Sequence, residues 1–326
     1  MALRIGIVIP CYTGERYVAE AIGSAQAVLE PGDVLVVVDD GSTDSTADVI
    51  RRVVARGPSD QCDFIWQENG GVSKARNRGA EEATSRGAEA LLFLDSDDVL
   101  AAKGVQTARE RLSQVQEAVA VGGQHVELRD GRATGDAVGR TGWRKDYVAR
   151  HGFPEDRITV RECFFWCPFV TPGCVLVKTE DFARAGGFPE GIQWGEDHEL
   201  WMKRSRLGVV LSVDQPIVQY RIHSNSFTHS NQRLLKFKRN IRARRAGIKF
   251  AKTISVKLAS EASKGARDNA LWGVRHDLSS AGQNLAKGKV GPAGLSMGAG
   301  LAHLSAYIFF GLEALRAEVR ACLTAL

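Results

Sequence analysis

The sequence predicts an α/β fold built on a mostly parallel, Rossmann-like sheet with helices on both faces, followed by a C-terminal helical extension. Three observations carry that expectation. Short apolar runs alternate with helical patterns through the first half. Those runs are unbroken Val, Ile and Leu, as in strands buried on both faces, and strand texture stops near residue 228.

Taken in order, RIGIVIP reads as a strand and RYVAEAIGSAQAVL as the helix that follows it. DVLVVVD leads to a helix from about Ser45, CDFIWQ to VSKARNRGAEEAT, and EALLFLD to a helix after Leu100. Residues 120–165 are irregular and are assigned no elements. Beyond them come the strand CVLV, a short helix from Thr179, the turn GGFPEG, a helix over about Glu196 to Arg206, and the strands VVLSVD and PIVQYR. The expected division is 1–228 for the sheet domain and 229–326 for the helical region.

The 326 residues, 44% hydrophobic and 25% charged, suit one sizeable domain with an appendage. The net charge of +5 is local, because no Asp or Glu falls between Asp214 and Glu261. Six cysteines in so long a chain show neither disulfide-scaffold density nor CxxC spacing, and read as reduced, mostly buried thiols. MALRIGIVIP is too short an apolar run for a signal-peptide core, so the expected location is cytoplasmic.

Ligands of parallel sheets bind beyond the carboxyl ends of the strands, which places Pro10 to Tyr12, Asp39 to Ser42 and Asp95 to Asp98 along one edge. FLDSDD puts three carboxylates in four positions at a strand exit, where mutual repulsion calls for a cation. A hard divalent ion accepts one or two carboxylates when a diphosphate completes its shell. The bland account is a turn or a helix cap. VVVDDGSTDST repeats the pattern; capping needs one such carboxylate, and the second is left unexplained, with Ser42 or Thr43 as the expected N-cap.

At this point the chain resembles the family 2 inverting glycosyltransferases of GT-A fold. VIPCYTGERYVAEAI is similar to their opening segment, DDGSTDST to the DDGS motif, and ENGGVSKARNRG to the NxGxxxARN segment. FLDSDD matches the DxD motif, GGFPEGIQWGEDHELWMKR the GGF and ED motifs, and YRIHSNS the YRxHxxS segment. These six occur in the family's order over residues 5–226. One departure is Thr13, which stands where Asn is usual.

The resemblance implies that Pro10, Tyr12, Asp39 and Asp40 surround the nucleotide base, with Lys74 and Arg76 bordering its pocket. It implies that Asp95 approaches the ribose, that Asp97 and His223 hold Mn2+ or Mg2+, and that Asp98 lies near the donor sugar. Arg221 and Ser226 fall near the phosphates, and Asp197 is the catalytic base. Glu196 and Trp201 are acceptor-side candidates. Each has a plainer account: helix-dipole pairing for Glu196 and Asp197, core packing for Trp201, an ordinary hydrogen-bonded imidazole for His223, and solvated helix charges for Lys74 and Arg76.

The implied activity is metal-dependent inverting transfer of a sugar from a nucleotide-diphosphate donor, by family habit a UDP-sugar. The acceptor would be a sugar, lipid-linked or peptide nucleophile. The competing classes are a GT-A-like nucleotidyltransferase and a non-catalytic nucleotide-sugar or membrane-binding module. Residues 233–252 hold nine basic and no acidic residues among Leu234, Phe237, Ile241, Ile248 and Phe250. They suit a peripheral helix on an anionic inner membrane face, or subunit packing into a homo-oligomer, better than nucleic acid. An apolar helix over about 295–318 is expected to pack on one side rather than cross a bilayer.

Overall fold

The computed structural model describes residues 3–137, 149, 152, 154–165, 169, 171–191, 195–204, 208–223, 244–246, 248–249, 252–253 and 259–271. β1 (Ile5–Cys11), α1 (Val18–Gln26), β2 (Val34–Asp39), α2 (Thr46–Val54), β3 (Cys62–Trp66), α3 (Val72–Ser85) and β4 (Ala90–Phe93) alternate as the apolar runs predict. β5 (Val99–Leu100), α4 (Ala102–Gln114), β6 (Ala118–Arg129), β7 (Arg132–Ala137), β8 (Arg157–Ile158) and α5 (Val160–Phe165) follow. Then come β9 (Val175–Lys178), α6 (Thr179–Arg184), α7 (Glu196–Arg204) and β10 (Val209–Arg221).

The strands form one sheet in the order β3-β2-β1-β4-β9-β6-β10-β5, with β7 against β6 and β8 against β10. β1 to β4 are mutually parallel, and every residue of β1, β2 and β4 is buried, which is why they read as continuous apolar runs. β9 runs antiparallel to β4 and β6, while β10 is parallel to β6. From β1 the chain steps outward through β2 to β3, then returns to place β4 on the other side of β1. That reversal opens a crevice at the carboxyl ends of β1 and β4. α3 lies close over this point: a β-carbon on Gly79 would overlap Val8 and crowd Val38.

Two sequence expectations change. VVLSVD and PIVQYR are one strand, β10, with irregular register between Ser212, Pro216 and Val218, where proline interrupts the ladder. The segment left unassigned contains a hairpin: Arg129 pairs with Arg132 across Asp130 and Gly131, both at positive φ (50° and 74°). Those dihedrals fit a two-residue turn of the Asp-Gly kind.

Two compact units are present. One comprises Met1–Ile158, Pro168–Leu200 and Leu207–His229; the other comprises Thr159–Cys167, Trp201–Arg206 and Ser230–Leu326. Within the second, Arg161 donates to Asp268 through Nε (2.9 Å) and a terminal nitrogen (2.6 Å), and Arg244 Nε donates to the Phe164 carbonyl at 2.8 Å. Ala259, Ala262, Ala266 and Ala270, all from a helix over 259–271, are buried. Arg244 and Ile248 are also buried, whereas Arg245, Lys249 and Lys252 are exposed. Ile248 is therefore a packing residue and not a group offered to lipid. The rest of the basic segment, the apolar 295–318 stretch, Ser226, Cys167 and Cys322 lie outside the described residues. Among the described residues no helix is long and apolar enough to cross a membrane. Cys11, Cys62, Cys163 and Cys174 are buried thiols outside any disulfide, as their low density in the sequence suggests.

Candidate functional site

The strand exits converge as expected, and hydrogen bonds show how each acidic side chain is used. Asp39 ends β2 in register with Cys11 of β1 and is fully buried; its Oδ1 accepts from the Ser42 amide at 3.0 Å. The other oxygen, Oδ2, is buried without a hydrogen-bond partner. Asp40, also buried, accepts from Gln67 Nε2 (2.7 Å), Gly70 N (2.9 Å) and Gly71 N (2.8 Å). Both carboxylates of the pair therefore shape loops: the first folds the turn that opens α2, and the second holds the β3–α3 loop. A carboxylate offers about four acceptor positions, so these bonds leave one of Asp40's unused.

The expected N-cap moves. α2 begins at Thr46, whose amide is taken by Asp44 Oδ1 at 3.1 Å, while the Ser42 hydroxyl accepts from Thr13 N at 3.0 Å. Thr46 Oγ1 likewise accepts from Gly14 N at 2.9 Å. The hydroxyls of DDGSTDST thus hold the β1–α1 loop, on which Tyr12 is 52% exposed and Thr13 has φ of 48°. Asparagine tolerates that left-handed conformation better than a β-branched residue. Pro10 is buried at the end of β1.

The three carboxylates of FLDSDD separate into different environments. Asp95 is held on both oxygens, by an Arg76 terminal nitrogen at 2.7 Å and by Thr171 Oγ1 at 2.8 Å. Asp98 is buried; its Oδ1 accepts from the Arg221 amide at 2.8 Å, and its Oδ2 has no partner. Burial, then the charges of Asp97 and Asp95, raise the Asp98 pKa well above the ordinary carboxylate range. Asp97 keeps 37% of its side chain exposed, and its pKa is raised by burial and by Asp95 against the opposing pull of His223.

His223 Nε2 and Asp97 Oδ2 stand 2.9 Å apart and share a hydrogen bond. Adjacent ligands of an octahedral ion, each about 2.1 Å from it, are separated by about 3 Å, so this pair fits two neighbouring positions of one cation. Among the described residues no group of three or more His, Cys, Asp or Glu side chains could hold a metal ion. Asp97 and His223 could supply two ligands to such an ion, and the rest of its shell would have to come from outside these side chains.

The cations named from the sequence differ in availability. Arg221 is buried, donating through Nε to the Asp97 carbonyl (2.6 Å) and through a terminal nitrogen to Glu20 (2.6 Å), and it stacks on Tyr17 at 4.7 Å. Tyr17 also packs against His223, with ring centroids 5.2 Å apart. Arg76, 4% exposed, joins Asp95 to Glu196 (2.8 Å) and lies over the Phe188 ring. Burial alone would lower the Arg76 pKa, but the two carboxylates more than offset it and raise it. Lys74, exposed in the first turn of α3, folds back over Gly70 and has no ion-pair partner among the described residues.

α7 begins with Glu196, Asp197 and Glu199 in its first turn, after Gly195 at φ 78°. Negative charge is favoured there by the helix dipole. Glu196 is buried against Arg76, Asp197 is half-buried, and Trp201 is buried. Asn77 holds the turn before α7: its Nδ2 donates to the Phe188 carbonyl and its Oδ1 accepts from the Phe188 amide, both at 2.9 Å. Thr171, Tyr17, Asn77 and Gln67 are site residues that sequence reasoning missed. Tyr17, Gln67 and Asn77 lie in or beside quoted motifs without an assigned role, and Thr171 follows the irregular segment, where no pattern pointed to it.

The model of the family described as Glycosyl transferase family 2 matches residues 6–185. The validoxylamine A glucosyltransferase of Streptomyces hygroscopicus subsp. limoneus is 30% identical over 236 residues, which cover 65% of this chain and 50% of that protein. An uncharacterized glycosyltransferase of Rickettsia typhi is 24% identical over 231 residues, 69% of this chain and 66% of its own. The chain thus spans between half and two thirds of the length of these relatives. In fold it is similar to the mannosyltransferase PcManGT of Pyrobaculum calidifontis in complex with GDP-Man and Mn2+, with a TM-score of 0.60 and 19% identity over 98% of this chain and 87% of that one. It is also similar to S. aureus TarS 1–349 in complex with UDP-GlcNAc, at 0.54 and 16% over 89% of each chain. Both are GT-A architectures. With the matched region extending from β1 through β9 and α6 and containing the strand exits just described, the chain belongs to glycosyl transferase family 2.

Proposed function

We propose that this chain is a metal-dependent inverting glycosyltransferase that moves a sugar from a nucleoside diphosphate, UDP in the first instance, to a hydroxyl acceptor. The observation that carries the reading is the Asp97–His223 pair, 2.9 Å apart and beside the buried carboxylate of Asp98. It calls for a cation that arrives with its own oxygen ligands, as a nucleotide-sugar diphosphate does. The solved relatives in fold carry UDP-GlcNAc and GDP-Man, which are donors of that class.

In this reading Asp97 and His223 would hold Mn2+ or Mg2+, which when bound neutralises charge on the departing diphosphate. Lys74, the one cation of the three not committed to a carboxylate, supplies further positive charge at the nucleotide edge. Tyr12 offers an exposed ring, and Asp40 its remaining acceptor position, to the base. Asp197 takes the proton from the acceptor hydroxyl as that oxygen bonds to the anomeric carbon. Inversion needs the base and the leaving group on opposite faces of the sugar, by analogy with inverting hydrolases.

The test is Asp197→Asn. With Mn2+ and a panel of nucleotide sugars, turnover should fall by about a thousandfold while Mn2+-dependent nucleotide affinity stays within about threefold. A variant that retains turnover within tenfold would remove Asp197 from the role of base. A second element of the reading is peripheral attachment to anionic membrane through Arg245, Lys249 and Lys252, which are exposed at one-face helical spacing while Arg244 and Ile248 are buried. An attachment through these three cations should weaken in vesicle co-sedimentation as salt rises.

A further inference from the structure

Arg76 is placed where a nucleotide-contacting cation is expected, yet its hydrogen bonds point elsewhere. One terminal nitrogen is given to Asp95 at the β4 exit and the other to Glu196, the first residue of α7. The remaining Nε is buried without a partner, and the guanidinium face lies 5.0 Å from the Phe188 ring centroid. Asp95 is fixed on its far oxygen by Thr171. The next residue of α3, Asn77, makes a paired amide contact with the Phe188 backbone, in the turn that leads to α7. Two consecutive side chains of one helix therefore hold Glu196 and Phe188, on the chain around and before Asp197, and one of them also reaches Asp95.

Fold stability alone gives no reason for this trio. A buried guanidinium needs one carboxylate; a second leaves a net negative charge that must also be desolvated. What two carboxylates on one rigid fork do provide is a fixed separation between them. We infer that Arg76 is a positioning residue that sets where Asp197 stands relative to Asp95 and Asp97, acting through Glu196, and that it is not a diphosphate ligand. This rests on the reading of Asp197 as the base. A lysine cannot span both carboxylates as a planar fork, so charge and geometry are separable at this site.

The experiment uses Arg76→Lys, Glu196→Gln and the double variant in the full chain. Nucleoside diphosphate release is measured from UDP-GlcNAc, UDP-glucose and GDP-mannose with MnCl2, UDP binding with MnCl2 by calorimetry, and backbone hydrogen exchange by peptide. Arg76→Lys should lower kcat by about 30-fold or more, as an ångström-scale misplacement does, with the UDP affinity changed less than about threefold. The two substitutions should be strongly non-additive. Exchange over 195–200 should quicken while that over α3 holds. A tenfold loss of UDP affinity in Arg76→Lys would make Arg76 a phosphate ligand and overturn the inference, as would unchanged kcat or unchanged exchange over 195–200. If the parent chain releases diphosphate from none of the three donors, the catalytic reading fails by itself, and exchange over 195–200 still decides whether Arg76 places α7.

Discussion

Replacing Asp40 separates the loop-holding role seen in the structure from a purely nucleotide-binding one. The carboxylate is 3% exposed and accepts three hydrogen bonds, two of them from the backbone of the β3–α3 loop. In Asp40→Asn the oxygen facing Gln67 and Gly70 can be kept, but an amide NH2 then meets the Gly71 N–H. That removes one charge-assisted bond, worth about 1.5–3 kcal/mol, and weakens the other two to neutral strength. The expected loss is about 3 kcal/mol, a large share of a stability that is typically about 5–15 kcal/mol. Asp40→Ala strands all three donors and should cost about 4–6 kcal/mol, in the exceptional range for one substitution. Urea unfolding gives the loss, and faster hydrogen exchange over 67–75 should localise it. If Asp40→Asn stays within about 0.5 kcal/mol of the parent while nucleotide affinity collapses, the hydrogen bonds are incidental and the structural reasoning fails.

Three further outcomes are expected. Asp97→Ala and His223→Ala should each weaken Mn2+-dependent nucleotide binding by about tenfold or more, with little effect on binding measured in EDTA; an equal loss without metal would refute the metal-holding role of this pair. Thr13→Asn should stabilise by about 0.5–1 kcal/mol, because asparagine accepts φ 48° with less strain, and denaturant midpoints check the sign. Burial pushes the Cys11 thiol up to about 12, so its contribution is present in full below the unfolded thiol pKa and is lost as pH rises toward 12. Stability should therefore decline above about pH 9, by up to about 1.4 kcal/mol per unit, and Cys11→Ala should flatten that decline.

The parallel half of the sheet was legible because strands buried on both faces must be apolar throughout, as VLVVVD and ALLF are. Its functional edge was legible because carboxylates at a strand exit stand out against that background. The hairpin at Asp130–Gly131 carried a readable signal that the surrounding irregular segment obscured. The Ser212–Pro216–Val218 irregularity in β10 shows the converse: VVLSVD and PIVQYR read as two strands where one strand continues through a shift of register. The division of labour within the site was not legible, since spacing cannot tell a carboxylate aimed at a ligand from one aimed at a loop. Asp39 and Asp40 are adjacent in sequence and both hold backbone amides. Thr171 and Asn77 became visible only through partners 76 and 111 residues away.

β9 has a consequence for synthesis of the chain. Its four residues are the seam between the β1–β4 half and β6, pairing Leu91 with Val177 on one side and Val121 with Leu176 on the other. Neither half can close along that seam until Lys178 has left the ribosome, so the edge of β4 stays open while most of the sheet is being made. Pairing over so long a stretch of chain is intrinsically slow. A nascent chain halted before β9 should engage holdase chaperones, and release should coincide with its emergence.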